Sequence, residues 1–85
     1  MKPFDKLTKI LLELSGIEAI ILENKLQGDL GLDSIQMVTL LIVIEETFNI
    51  VLDESDMNPF DLITVSDVLE LVEKYLGGGN DGVEE

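Results

Sequence analysis

The sequence predicts a small all-α protein: a four-helix bundle with three main helices, a short third helix and a long first loop. The length of 85 residues suits a single domain. Hydrophobic residues make up 46% of the chain, enough to fold it despite a net charge of −13. Leu, Ile and Val far outnumber the three phenylalanines and one tyrosine and recur at helical spacing, which favours packed helices over a sheet.

The first helix is predicted over about Phe4 to Leu14, where apolar residues recur every three or four positions. Ser15-Gly16 ends it, because glycine accepts the left-handed geometry of a helix end. Ile17 to Leu32 is too rich in Ile and Leu for a free tether, so we expect a loop laid over the core. A short strand over Ala19–Leu22 is an alternative, although no partner strand is evident.

The second helix is predicted from about Ser34 to Phe48, a length of ~22 Å. Pro59 can open a short third helix through about Ile63, since proline is favoured at the first helical position. A capping box follows, in which the Thr64 hydroxyl can accept from the Asp67 amide. It opens the last helix, whose apolar stripe runs to Leu76.

The folded domain is therefore predicted to span residues 1–76. Residues 77–85 combine four glycines with three acidic side chains and lack an apolar pattern. Such a composition predicts a disordered tail.

The composition excludes several kinds of site. Five scattered lysines in a chain of net charge −13 disfavour binding to nucleic acid or to an anionic membrane. Without cysteine or histidine, the chain has no disulfide, no Cys/His zinc site and no imidazole base for its four serines. A calcium loop over Asp53–Thr64 fails because Met57 would occupy a ligand position. We expect no metal and no enzyme, but a module that serves other proteins.

The longest apolar run, Leu40–Ile44, falls far short of the ~20 residues that span a bilayer. Charged residues interrupt the first 14 positions, so no signal peptide is predicted there. We expect a cytoplasmic monomer.

The second helix carries two apolar faces on a helical wheel. The core stripe consists of Met37, Leu40, Leu41, Ile44 and Phe48. Ile35, Val38 and Ile42 form a second strip, which we call the α2 strip, flanked by Glu45 and Glu46. This strip either packs under the long loop or is an exposed docking surface with an acidic rim. Wheel geometry leaves both open.

Asp33 and Ser34 stand at the start of this helix. Both are preferred N-cap residues, so capping alone explains them. A helix N-terminus is also favourable for a phosphate ester, because its free amides and macrodipole stabilise an anion. Gly31 adds backbone freedom beside the serine.

Three segments resemble one known family. Asp29–Ile35 resembles the 4′-phosphopantetheine attachment motif D-L-G-x-D-S-L of acyl carrier proteins. Glu45–Phe48 resembles the E-E-x-F end of that family's second helix, and Thr64-Val65 the T-V that opens its last helix. The resemblance covers about Phe4 to Leu76.

The resemblance implies an acyl-carrier-protein-like four-helix bundle. Ser34, flanked by Asp33, would receive phosphopantetheine from coenzyme A through a separate phosphopantetheinyl transferase. The thiol of the arm would then carry acyl intermediates as thioesters for fatty-acid, polyketide or related biosynthesis. The α2 strip with Glu45 and Glu46 would dock loading and processing enzymes that have basic surfaces.

Two alternatives to a discrete acyl carrier stay open. One is an aminoacyl or peptidyl carrier of a nonribosomal or other specialised pathway. In its favour, Gln36 and Thr39 stand where fatty-acid carriers have acids, and Val51–Ile63 is about two residues longer. The other is a helical interaction module without a prosthetic group.

Overall fold

The computed structural model describes residues 2–77. Its α-helices are α1 Pro3–Ser15, α2 Ser34–Phe48 and α3 Val65–Gly77. Two 3₁₀ turns, Glu54–Asp56 and Pro59–Asp61, join α2 to α3. The all-α prediction is therefore confirmed, and the predicted short third helix takes the form of the second 3₁₀ turn. Gly77 of the predicted tail ends α3, and the rest of that tail lies outside the described residues.

Helix α1 begins one residue before the predicted Phe4 and ends before the predicted Gly16. Pro3 takes the first helical position, where its missing N–H costs no hydrogen bond. At the other end Gly16 has φ of 76°, and its N–H donates to the Leu12 carbonyl at 2.7 Å. A left-handed glycine thus ends the helix as predicted.

Helix α2 spans the predicted residues and buries the predicted core stripe. Each of the five stripe side chains is at most 8% exposed. Asn49 closes the helix in the left-handed conformation, and its N–H donates to the Glu45 carbonyl. Among the residues described, no polar or charged side chain is buried, so the core is wholly apolar. Each buried Leu or Ile contributes about 1.5–3 kcal/mol.

The first loop, residues 16–33, lies over the core as expected. Leu26, Leu30 and Leu32 are each at most 4% exposed. The loop bonds to the start of α3: Leu26 N–H donates to the Ile63 carbonyl at 2.9 Å, and Val65 N–H to the Asn24 carbonyl at 3.0 Å. Part of the main-chain hydrogen bonding of the loop is thus supplied by this junction rather than by a neighbouring strand.

The alternative of a strand over Ala19–Leu22 is wrong for the structure as described. Within residues 2–77 the strand-like pairing is a single antiparallel bridge, between Lys25 and Thr64. Among the described residues no strand pairs with 19–22, and the Leu22 carbonyl accepts instead from the Ser66 N–H at the start of α3.

Helix α3 begins with the predicted capping box. The Asp67 N–H donates to the Thr64 hydroxyl at 3.2 Å, and the Asp67 carboxylate accepts from the Thr64 and Ile63 amides at 3.0 and 2.9 Å. These two amides lower the pKa of Asp67, because they stabilise the charged carboxylate. The cap therefore holds the first turn of α3 in place.

A cluster of polar side chains fastens the segment after α2 to the end of α3. The Tyr75 hydroxyl donates to the Asp56 carboxylate and accepts from the Asp53 N–H at 2.8 Å. Lys74 pairs with the same carboxylate at 3.2 Å. The Tyr75 hydroxyl and then the Lys74 ammonium lower the pKa of Asp56, and the Asp56 carboxylate raises that of Tyr75. The first 3₁₀ turn is thereby bonded to the last turns of α3.

None of the helices described within residues 2–77 has the length and apolar character that crossing a bilayer requires.

Candidate functional site at the start of helix α2

Asp33 and Gln36 form a capping box around Ser34. The Gln36 N–H donates to the Asp33 carboxylate at 2.7 Å, and the Asp33 N–H donates to the Gln36 side-chain oxygen at 3.1 Å. Two amides that a helix start leaves without partners are thus satisfied reciprocally. Asp33 is the N-cap, and Ser34 is the first helical residue.

The same Gln36 side chain reaches helix α1. Its Nε2 donates to the Leu14 carbonyl at 2.9 Å, a contact between residues 22 positions apart in sequence. Leu14 belongs to the last turn of α1, where main-chain carbonyls have no partner within the helix. The start of α2 is therefore bonded to the end of α1.

Ser34 is exposed, and among the residues described its hydroxyl takes part in no hydrogen bond. The capping explanation thus applies to Asp33 and not to Ser34. The loop before the serine is fixed by two buried leucines, Leu30 and Leu32, while Gly31 between them has φ of 72°. A left-handed residue is needed at this turn, and glycine adopts it without strain.

A groove of about 440 Å³ opens beside Ser34. It lies between the start of α2 and the second 3₁₀ turn and is lined by Ser34, Ile35, Val38, Thr39, Pro59 and Phe60. None of these side chains is charged. Phe60 is 70% exposed, and sequence reasoning missed it. The signal that could have found it is one aromatic residue next to a proline in an otherwise polar, acidic segment.

The α2 strip lies at the surface and not under the first loop. Ile35 is 75% exposed, Val38 47% and Ile42 46%. Ile35 and Val38 also line the groove, so the strip runs continuously from the groove along α2. This exposed apolar face is the geometry that an interaction surface requires.

The two acids beside the α2 strip differ in their surroundings. The Glu45 carboxylate accepts from the Leu52 N–H at 2.8 Å and so holds the chain that follows α2. Glu46 is exposed, and within the described part of the chain its carboxylate has no hydrogen bond. Glu46 is therefore the one whose charge is free to meet a partner, whereas Glu45 is also a structural residue.

Comparison with known proteins places these features in a family. Residues 5–72 match the family model of the phosphopantetheine attachment site. The acyl carrier protein of Desulforapulum autotrophicum is 42% identical over 72 residues, covering 81% of this chain and 91% of that protein. That of Thermotoga maritima is 34% identical over 76 residues, covering 87% and 91%.

A much longer protein is similar as well. A non-reducing polyketide synthase of Emericella nidulans is 35% identical over 80 residues, which cover 93% of this chain and 3% of the synthase. Domains of this family carry a covalently attached 4′-phosphopantetheine and serve as carriers. The match over most of the chain, and the similarity to whole acyl carrier proteins, show that this chain belongs to the acyl carrier protein family.

Proposed function

We propose that this protein carries acyl intermediates on a 4′-phosphopantetheine arm attached to Ser34. The observation that supports this most is the state of the Ser34 hydroxyl, which is exposed and free of hydrogen bonds to the described residues. Its neighbours Asp33 and Gln36 cap the helix in its place. Modification of Ser34 would therefore break none of the hydrogen bonds that cap the helix.

The residues around Ser34 suit a phosphopantetheine group. A phosphate ester on the hydroxyl would lie at the N-terminus of a 15-residue helix, where the macrodipole favours an anion. The adjoining groove offers Ile35, Val38 and Phe60 as apolar walls. When attached, the group supplies a thiol that holds cargo as a thioester, which explains thiol chemistry in a chain without cysteine.

The loading reaction balances with coenzyme A as the donor. The Ser34 oxygen forms a bond to the phosphorus next to pantetheine, and the pyrophosphate bond of coenzyme A breaks. Adenosine 3′,5′-bisphosphate leaves, and the hydroxyl proton passes to the transferase or to solvent. Ser34 is thus a substrate of the transferase and not a nucleophile that turns over.

The groove favours acyl over aminoacyl cargo. An aminoacyl thioester bears a free ammonium group, and none of the six residues that line the groove offers a carboxylate to it. A hydrocarbon cargo would instead gain ~0.8 kcal/mol for each CH₂ that it buries. The mass of the adduct on the protein isolated from its native cell tests this: an aminoacyl or peptidyl adduct alone would reject the acyl assignment.

The α2 strip, extended by Phe60, is the surface on which we place partner enzymes. Its members Ile35, Val38 and Ile42 are apolar and exposed, as a small interface core must be. Glu46 lies at its edge on a chain of net charge −13, so partners with basic surfaces are attracted over a distance. We expect both the transferase and the processing enzymes to bind here.

The attachment is tested by intact mass. The wild-type protein is incubated with coenzyme A, Mg²⁺ and a broad-specificity phosphopantetheinyl transferase, and its mass should rise by one phosphopantetheine. Ser34→Ala should show no increase. If several such transferases leave the wild type unmodified, the protein is an interaction module without a prosthetic group.

The docking surface is tested by Ile42→Asp. Because Ile42 is half exposed, the variant should keep its helical circular dichroism, while the KM of the transferase for the carrier rises about tenfold or more. Val51→Asp is the matched control, since Val51 is 84% exposed and lies beyond the end of α2. A loss of helical structure in Ile42→Asp, or an equal effect of Val51→Asp, would contradict the assigned surface.

A further inference from the structure

We propose that Gln36 is the positioning residue of Ser34: by bonding the start of α2 to the end of α1, it fixes the serine in the place where the transferase needs it. This inference rests on the proposed attachment at Ser34. It adds a role for a side chain that neither touches the hydroxyl nor is needed for the core.

Gln36 makes three hydrogen bonds, two through its side-chain amide and one through its main-chain N–H. Its Oε1 accepts from the Asp33 N–H at 3.1 Å, and its Nε2 donates to the Leu14 carbonyl at 2.9 Å. Its main-chain N–H donates to the Asp33 carboxylate at 2.7 Å. An amide carries its acceptor and its donors on separate atoms at the end of the side chain, and Asn is the other residue with this group. Asn is one CH₂ shorter.

The bond to Leu14 matters because the chain between the two helices is long. The 18 residues of the first loop separate the end of α1 from the start of α2. Beyond the two residues that directly follow α1, the loop is hydrogen-bonded to the start of α3 through Leu22, Asn24 and Leu26, and among the described residues it makes no backbone hydrogen bond to α1. Gln36 is therefore a direct polar tie between α1 and the turn that bears Ser34.

Displacement of a reacting group by about 1 Å can cost up to 100-fold in rate. The transferase must bring the Ser34 oxygen into line with the phosphorus of coenzyme A. A tie that fixes the first turn of α2 reduces the set of orientations that the serine samples. We therefore expect Gln36 to act on kcat of arm transfer and much less on KM, which depends on the docking surface.

Two variants separate the bonds of Gln36. Gln36→Glu keeps an oxygen that accepts from the Asp33 N–H but cannot donate to Leu14. Gln36→Met has similar length and no charge, and it loses both side-chain bonds. The matched control is Gln27→Glu, which makes the same charge change at an exposed loop residue without a side-chain hydrogen bond to the described residues.

The experiment measures kcat and KM of a phosphopantetheinyl transferase for each carrier at a temperature well below its melting point. Both Gln36 variants should lower kcat about 3- to 30-fold with KM within about twofold, and Gln27→Glu should load as the wild type does. If one Gln36 variant fails to fold, the kcat of the other still tests the proposal.

Three results would overturn the proposal: wild-type kcat in a folded Gln36 variant, a change in KM alone, or a defect that disappears on cooling. The last would show that Gln36 only stabilises the fold. In each case a wild type that loads keeps the proposed attachment, whereas a wild type that never loads removes both proposals.

Discussion

Helices α2 and α3 begin in nearly the same way and differ in what covers them. Each has a capping box, Asp33 with Gln36 in α2 and Thr64 with Asp67 in α3. Each carries a serine just inside the helix. The start of α3, however, lies against the first loop, where the Ser66 N–H donates to the Leu22 carbonyl at 3.0 Å.

Under the proposed attachment at Ser34, this difference means that a capping motif alone is not enough for an attachment site. Ser66 is half buried beside main-chain bonds, whereas Ser34 is exposed at the edge of a groove. The local chemistry of the two helix starts is alike, and they differ in how far the serine is exposed and in the groove beside it. Each of the following experiments compares the two helix starts.

The largest expected effect is on arm transfer. Ser34→Ala retains Ser66 at the start of α3 and should stay wholly unmodified, whereas Ser66→Ala should gain one phosphopantetheine at the wild-type rate. Intact mass after incubation with coenzyme A and a transferase measures both. Modification of the Ser34→Ala chain would show that exposure at the helix start does not select the serine.

Substitutions at the two helix starts should differ in their effect on the stability of the protein. Leu26 is fully buried where the first loop meets α3, so Leu26→Ala should lower the free energy of unfolding by about 2–5 kcal/mol. Ile35 is 75% exposed at the start of α2, so Ile35→Ala should change that free energy by no more than about 0.5 kcal/mol. Urea unfolding measures both, and a comparable loss in Ile35→Ala would mean that the α2 strip is buried in solution.

Removal of the caps should have a smaller effect. Thr64→Ala and Asp33→Ala each delete a side chain that accepts from a helix amide, so each should cost about 1 kcal/mol in urea unfolding. They should differ in arm transfer, which we expect to slow only in Asp33→Ala because that residue flanks Ser34. Equal rates of arm transfer in the two variants would show that the α2 cap has no specific part in the attachment reaction.

The smallest expected effect concerns pH. The Thr64 and Ile63 amides hold the pKa of Asp67 below its ordinary value of 3.8. The stability that Asp67 contributes is therefore complete above pH 3.8 and is lost as pH falls through the lowered pKa of the folded state. Gln36, the corresponding residue of the α2 cap, does not titrate.

Asp67→Asn should therefore lower the melting temperature at neutral pH by a few degrees and flatten its decline between about pH 5 and 2. Glu73→Gln, at an exposed position of α3, is the control and should leave that decline as in the wild type. If the decline in Asp67→Asn equals that of the wild type, other carboxylates govern acid unfolding.

The limits of the main helices could be predicted because their signals are local. Gly16 ends α1, Thr64 and Asp67 cap α3, and α2 begins and ends where the apolar pattern does. The first loop was predicted to cover the core for the same reason, since isolated leucines in a linker are stable only when buried. The pairing of that loop with α3 was not predictable, because it joins residues some 40 positions apart.

At the candidate site, the sequence determined which residue types are present, and the fold determined which of them are exposed and which contact one another. Ser34 follows from a local motif at the start of α2, and the apolar α2 strip follows from the spacing of residues along one helix, so a helical wheel finds the strip. The exposure of that strip, the placement of Phe60 across the groove and the contact of Gln36 with Leu14 depend on how separate segments pack. Sequence alone does not contain these distances, because each is set by the balance of burial and hydrogen bonding over the whole bundle.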